Sequence, residues 1–152
     1  MSTLDTLDIG IIWSRLVSTV DEMVSALVRT SFSTMVRESG DFSCMLFDGR
    51  GKFLAQGTLS VPSFTGTGPA TLAGVLETIP IDTLCDGDIL MTNDPWIGTG
   101  HVYDVNIIKP IFIDGRLVGF ALSVSHLADV GGIGYGTGAR DVYEEGIVIP
   151  PV

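Results

Sequence analysis

The chain has 152 residues, enough for one domain with a core of its own. Its formal net charge of −10 lacks the clustered Lys and Arg that phosphate backbones require, so nucleic acid is not an expected partner. No apolar run approaches the ~20 residues that span a bilayer, and "MSTLDTLDIG" lacks the basic start and apolar stretch of a leader, so a cytoplasmic location away from membranes is expected.

Hydrophobic residues make up 45% of the chain and charged residues 17%, with a mean hydropathy of +0.44. Such a chain carries more apolar surface than its own core needs, and it ends in "EEGIVIPPV" without a polar tail. The expectation is a segment of a larger protein whose remainder covers the excess. A highly buried single domain is the competing explanation. Cys44 and Cys85 fit neither a zinc spacing nor a disulfide framework, so both are expected as buried, reduced thiols.

Residues 9–37 carry apolar positions at steps of three and four (Ile12, Leu16, Val20, Met23, Leu27, Val28), which predicts one long amphipathic helix. Its apolar face is expected in the core, with Asp21, Glu22, Arg29 and Arg37 on a solvated or partner-facing side. "DFSCMLFDGRGKFLAQG" alternates into a strand, turns at Asp48-Gly49-Arg50-Gly51 and returns through Lys52 to Gln56, a β-hairpin. Thr58 to Pro69 reads as a loop, and Ala70–Thr78 as a short helix. "DGDILMTNDPW" gives a turn, a buried strand over Ile89–Thr92 and a break at Pro95.

Two strongly apolar runs, "VNIIKPIFI" and "LVGFALSV", flank Asp114-Gly115, a strong local hairpin signal. Being apolar on nearly every position, they are expected inside a sheet with both faces covered, although Pro110 removes a ladder donor. The glycine-rich tail "GGIGYGTGARDVYEEG" reads as a long irregular loop.

The only two histidines stand in an echo: "GTGHVYD" and "SHLAD" each place an Asp three residues after a His. A two-residue turn at Asp114-Gly115 sets Asp104 against Ser125 and His101 against Ala128, with His126 beside Asp104 on the neighbouring strand. Both figures therefore arrive at one end of one hairpin. Positions i and i+3 of an ideal strand point opposite ways, so His101 and Asp104 converge only if Gly98-Thr99-Gly100 is irregular. Two imidazoles and one or two carboxylates suit a divalent metal with open positions. Thirteen aspartates in the chain leave two plainer readings open: turn-capping by Asp104 with a satisfied core His126, or coincidence. Asp94, just ahead of the Gly-Thr-Gly loop, is placed to support a ligand. No nucleotide-binding glycine motif is present, and Ser43, Ser123 and Ser125 lack a nucleophile-elbow context.

"DFSCMLFDGRGKFLAQG", "TNDPWIGTGHVYDVNIIKPIF" and "SHLADVGG", in that order and spacing, resemble the N-terminal portion of the hydantoinase B / 5-oxoprolinase family. Relatives there include the B subunit of ATP-dependent N-methylhydantoinase and the α subunits of acetone and acetophenone carboxylases. The resemblance runs from the long helix to "EEGIVIPPV" and implies that residues 1–152 are the N-terminal region of a longer B-type subunit, an α+β unit with its long helix packed on a hairpin-built sheet. It implies a cytoplasmic partner of an A-type, ATP-binding subunit, with ATP used by that partner to phosphorylate an amide, lactam or ketone oxygen. The B-type subunit then completes hydrolysis or carboxylation of a small molecule. In the carboxylase relatives a divalent metal is held by a pattern that falls on His101, Asp104 and His126, with Asp129 as a support or additional ligand; Mn, Zn and Fe are the candidate ions. Many relatives carry histidines in the stretch matching "LSVPSFTGTGP", where this chain has none.

The expected function is therefore a subunit of an ATP-dependent amidohydrolase opening cyclic amides of hydantoin or 5-oxoproline type, inactive as this segment alone. The alternatives are a subunit of a ketone carboxylase and a non-catalytic assembly segment.

Overall fold

The computed structural model describes residues 5–134 and 136–152. The first four residues and Tyr135, on which parts of the N-terminal and tail-loop expectations fall, lie outside the described residues. The chain forms α1 (Thr6–Thr30), α2 (Thr34–Arg37), β1 (Phe42–Asp48), β2 (Phe53–Gln56), α3 (Phe64–Thr78), β3 (Leu90–Thr92), β4 (Asp104–Ile113), β5 (Arg116–His126) and α4 (Val142–Glu145). The strands build one antiparallel sheet in the order β2-β1-β5-β4-β3. This is the α+β architecture expected, with α3 packed on one face of the sheet and α1 on the other.

Helix α1 starts at a capping box in which the Asp5 carboxylate accepts from the Asp8 amide and the Asp8 carboxylate from the Asp5 amide. Both carboxylates also sit favourably at the positive end of the helix dipole. The single helix predicted over 9–37 is corrected here: it stops at Thr30 and restarts at Thr34. At the break Ser31 Oγ accepts from the Ser33 amide, a local turn that competes with helical pairing. The apolar face is also only half in the core. Val20 and Val24 are buried, whereas Leu7, Ile9, Ile11, Ile12 and Trp13 are exposed. Asp21 is not merely solvated, because its Oδ1 accepts from the Thr58 amide at 2.7 Å and from its hydroxyl.

The stretch read as a loop from Thr58 to Pro69 becomes helical at Phe64, with Pro69 inside α3. Packing overrides the poor propensities: Phe64 is buried, and a Cβ on Gly68 would lie 2.4 Å from Met45 Sδ, so glycine there lets the helix sit on the sheet without displacing the Met45 side chain. The larger core joins α3 to the sheet through Met45, Phe47, Leu72, Val75, Ile108, Phe120 and Leu122. A smaller core joins α1 and α2 to Phe42, Cys44, Leu46 and Ala55. Cys44 is buried as expected, but Cys85 is exposed, at a turn where its amide donates to Asp88.

The Asp114-Gly115 turn has positive φ at both residues, 49° and 73°, the twist that joins two antiparallel strands. One irregularity between Ile111 and Phe112 then shifts the register, so Asp104 faces His126 and not Ser125. The predicted pairing was one residue out because a bulge cannot be read from turn type. Strands β4 and β5 are interior to the sheet, as their composition suggested, yet the second face of β4 is only partly covered: Val105 and Ile107 are half-buried and Lys109 is exposed. Pro110 is accommodated opposite Phe120. Among the described residues, no helix is long and apolar enough to cross a membrane.

Candidate metal centre

Three adjacent strands deliver one polar side chain each to the same end and the same face of the sheet. Alternation along β5 puts Phe120, Leu122 and Val124 on the α3 face, and His126 follows in phase, buried. Opposite it stands Asp104, only 3% exposed. On the other flank, Asp41 extends β1 by one residue, its carbonyl accepting from the His126 amide at 3.1 Å. The fourth group, His101, arrives from the connection before β4. That connection is irregular as predicted: Gly98 donates to the Asp94 carbonyl at 2.9 Å, and Gly100 has φ +93°, a conformation that a side chain would strain.

The Asp104 carboxylate is shared by both imidazoles. Its Oδ2 lies 3.1 Å from His101 Nε2 and its Oδ1 lies 3.0 Å from His126 Nδ1. One ligand atom from each of His101, Asp104 and His126 lies within 4.8 Å of the others. The Asp41 carboxylate is 3.7 Å from His126 Nδ1. Tyr103 stacks on His126 with ring centroids 5.4 Å apart and 14° between planes, and its hydroxyl donates to the Glu145 carbonyl at 3.2 Å. His101 Nδ1 accepts from the Tyr103 amide at 3.3 Å, which leaves Nε2 as the atom facing Asp104.

The electrostatics follow from this sharing. The hydrogen bond to Asp104 raises the pKa of His101, with burial acting against it and the charges of Asp104, Glu145 and Asp41 acting with it. For Asp104, burial is the largest single influence and pushes upward, but the hydrogen bonds from His101 and His126 and the charge of His101 outweigh it, so its pKa is lowered. Two cavities meet at the cluster. One of about 240 Å³ is lined by Asp41, Ser63, Phe64, Thr67, Thr99, His101 and Asp104. The other, of about 200 Å³, is lined by Asp41, His101, Tyr103, His126, Gly136 and Glu145. Among the described residues, no Lys or Arg lines either cavity. Three carboxylates around two imidazoles without a fixed cation make a place suited to a divalent ion.

Of the residues singled out in the sequence, His101, Asp104 and His126 are brought together, and Asp94 and Asp129 are not. Asp94 Oδ1 accepts from the Trp96 amide, and Asp129 Oδ1 from the Gly131 amide, so each caps its own turn. Sequence reasoning missed Asp41 and Glu145, which reach the cluster through non-local pairing. It also missed Asn93, which reads in sequence as a simple turn residue. Its amide donates to the Val102 carbonyl at 2.7 Å and the Ile147 carbonyl at 2.9 Å, and accepts from the Ile149 amide at 2.6 Å, tying the His101 connection to the C-terminal stretch.

The family model described as hydantoinase B/oxoprolinase matches residues 5–152. The chain belongs to this hydantoinase B/oxoprolinase family. A relative from Pseudomonas sp. (strain NS671), named as the putative B subunit of a D-/L-hydantoinase, is 33% identical across 97% of this chain and 26% of its own length. The crystal structure of ATP-dependent caprolactamase from Pseudomonas jessenii superposes with a TM-score of 0.84 and 29% identity, over 99% of this chain and 26% of that one. A nucleotide-free acetone carboxylase structure gives 0.80 and 28%, over 92% and 19%. The chain thus spans about a quarter or less of the relatives it matches.

Proposed function

We propose that this chain is the metal-holding N-terminal region of a B-type subunit in an ATP-dependent amidohydrolase that opens cyclic amides. The single observation behind the reading is the buried Asp104 carboxylate held between His101 and His126. Two neutral imidazoles and a carboxylate are a donor set for Zn, Mn or Fe, and Asp41 stands beside them as an additional carboxylate. A bound ion there supplies Lewis acidity toward a carbonyl or a water molecule. The protein residues fix the donors: Asp104 orients both imidazoles, Tyr103 holds the plane of His126, and Asn93 anchors the connection that presents His101.

The reading includes partners. ATP is consumed by an A-type subunit, and the apolar first half of α1, exposed at Leu7, Ile9, Ile11, Ile12 and Trp13, is covered by the remainder of the B-type subunit or by that partner. Two likenesses support this: one relative is named as one subunit of a hydantoinase, and the similar caprolactamase is named as ATP-dependent. Likeness to acetone carboxylase favours a second reading, ATP-dependent carboxylation of a ketone at the same site. Assaying the complete complex against hydantoins, 5-oxoproline and ketones while following ATP consumption separates the two. Metal analysis of the protein beside a His101→Ala, His126→Ala variant tests the centre, and equal metal content in both would sink it. The 152-residue chain alone is expected to show no ATP-dependent turnover.

A further inference from the structure

The sheet face that carries α1 is unevenly covered. On β1 the side chains beneath α1 and α2 are Phe42, Cys44 and Leu46, all buried. The same rows continue across the sheet to residues that are not. Cys44 pairs with Ser123, Ser123 with Ile107 and Ile107 with Met91, and the last three are only half-buried. In the next row Leu46 leads through Ala121 to Lys109, which is exposed. Widths explain the gradient: strands lie about 4.8 Å apart and a helix is about 10 Å across, so one helix covers roughly two strands. Helix α1 packs on β1 and β2, and its cluster reaches beyond them only to Ile111 and Ala121.

On this face β5 presents Ala121, Ser123 and Ser125, small side chains set between the α1 cluster and the larger Val105 and Ile107 of β4. Small residues flanked by large ones leave a shallow channel along β5, one helix wide. Beside it, Lys109 interrupts the apolar row of β4. The chain has 18 acidic and 8 basic residues, yet the one acid on β3, β4 and β5, Asp104, points to the opposite face. Among the described residues Lys109 makes no ion pair. We infer that the open face of β4 and β5 docks a second amphipathic helix, supplied from beyond this chain, with its apolar stripe on Val105 and Ile107 and a carboxylate opposite Lys109. Covering this face without a carboxylate would desolvate an unpaired ammonium. A second copy of the chain does not fit, because two such faces in contact give neither lysine a counter-charge. An added strand does not complete it either, since what is open is the face of interior strands and not an edge. The inference is independent of the metal centre and of the proposed reaction, because Asp104 and His126 lie on the α3 side of the sheet.

The test titrates the full 152-residue chain, followed by two-dimensional NMR, with two synthetic peptides of about 18 residues, long enough to hold a helix. Both carry leucine along one stripe; one has Glu at the centre of that stripe and the other Lys. The Glu peptide is expected to shift the signals of Val105, Ile107, Lys109 and Ser123 and to bind roughly fivefold tighter than the Lys peptide, the scale of one solvent-accessible charge pair. Lys109→Glu, a change at an exposed position, is expected to reverse the preference. Absence of shifts at these four residues, equal binding of the two peptides, an unchanged preference in Lys109→Glu, or shifts confined to Leu7 through Trp13 on α1 would each overturn the inference. Shifts of the same four signals on concentrating the chain without peptide would assign the face to a second copy and overturn it as well.

Discussion

Replacing Asp104 by Asn removes the one carboxylate that both imidazoles share while keeping its size. In the native site each oxygen serves one histidine, at 3.1 and 3.0 Å, and the side chain is almost fully buried. An amide is neutral and accepts through one end only, so one bond is lost outright and the other loses its charge assistance, a cost of at least about 1.5–3 kcal/mol before the relief of burying a neutral group. The effect on metal binding is larger, because an anionic ligand disappears. If affinity falls about 100-fold, zinc at 100 times its native dissociation constant stabilises the native chain by about 2.7 kcal/mol and the variant by about 0.4 kcal/mol. At ~2–4 °C per kcal/mol for a chain of this size, the zinc-dependent rise in Tm is ~5–11 °C for the native chain and ~1–2 °C for Asp104→Asn. Thermal melts with zinc and with a chelator measure both numbers. An equal zinc-dependent rise in the two proteins would refute the role given to this carboxylate.

Other expectations follow from the same geometry. Gly119 lies on β5 between two strands, and a Cβ there would meet the Phe47 carbonyl oxygen at 2.5 Å; Gly119→Ala is expected to lower stability by about 3 kcal/mol in a urea titration, since backbone cannot rotate away. Burial pushes the Cys44 thiol up to about 12, whereas Cys85 is exposed. Iodoacetamide should therefore label the folded chain once, at Cys85, by mass spectrometry. In the metal-free chain the raised pKa of His101 contributes stability fully present below pH ~6.5 and lost as pH rises through the folded value. The lowered pKa of Asp104 contributes stability present above pH ~4 and lost as pH falls through its folded value, so urea midpoints should be highest between about pH 4 and 6.5. Zinc binding runs the other way: it competes with the proton on His101 Nε2 and weakens as pH falls, which calorimetry at about pH 6 and pH 8 would show.

Local signals determined a good deal by themselves. The two hairpins were legible because Asp48-Gly49-Arg50-Gly51 and Asp114-Gly115 are turn chemistry set between apolar runs, and turn residues act over a few positions. The proximity of His101, Asp104 and His126 followed from one of those hairpins, and the irregular approach to His101 from its glycines. Tertiary structure decided the rest. Whether residues 64–69 coil or wind into a helix depends on Phe64 and Gly68 meeting the sheet, and local propensity carries no information about that contact. The bulge between Ile111 and Phe112, which sets His126 directly opposite Asp104, arises from how the strands fit their neighbours. Asp41 joined the centre only when β1 paired with β5, and Glu145 only when the C-terminal stretch folded back over His101. The hairpin put the histidines and Asp104 together because their separation in sequence is bridged by one turn. The surrounding carboxylates and hydroxyls came from distant parts of the chain, and only the packing of helix on sheet brings such groups within reach of one ion.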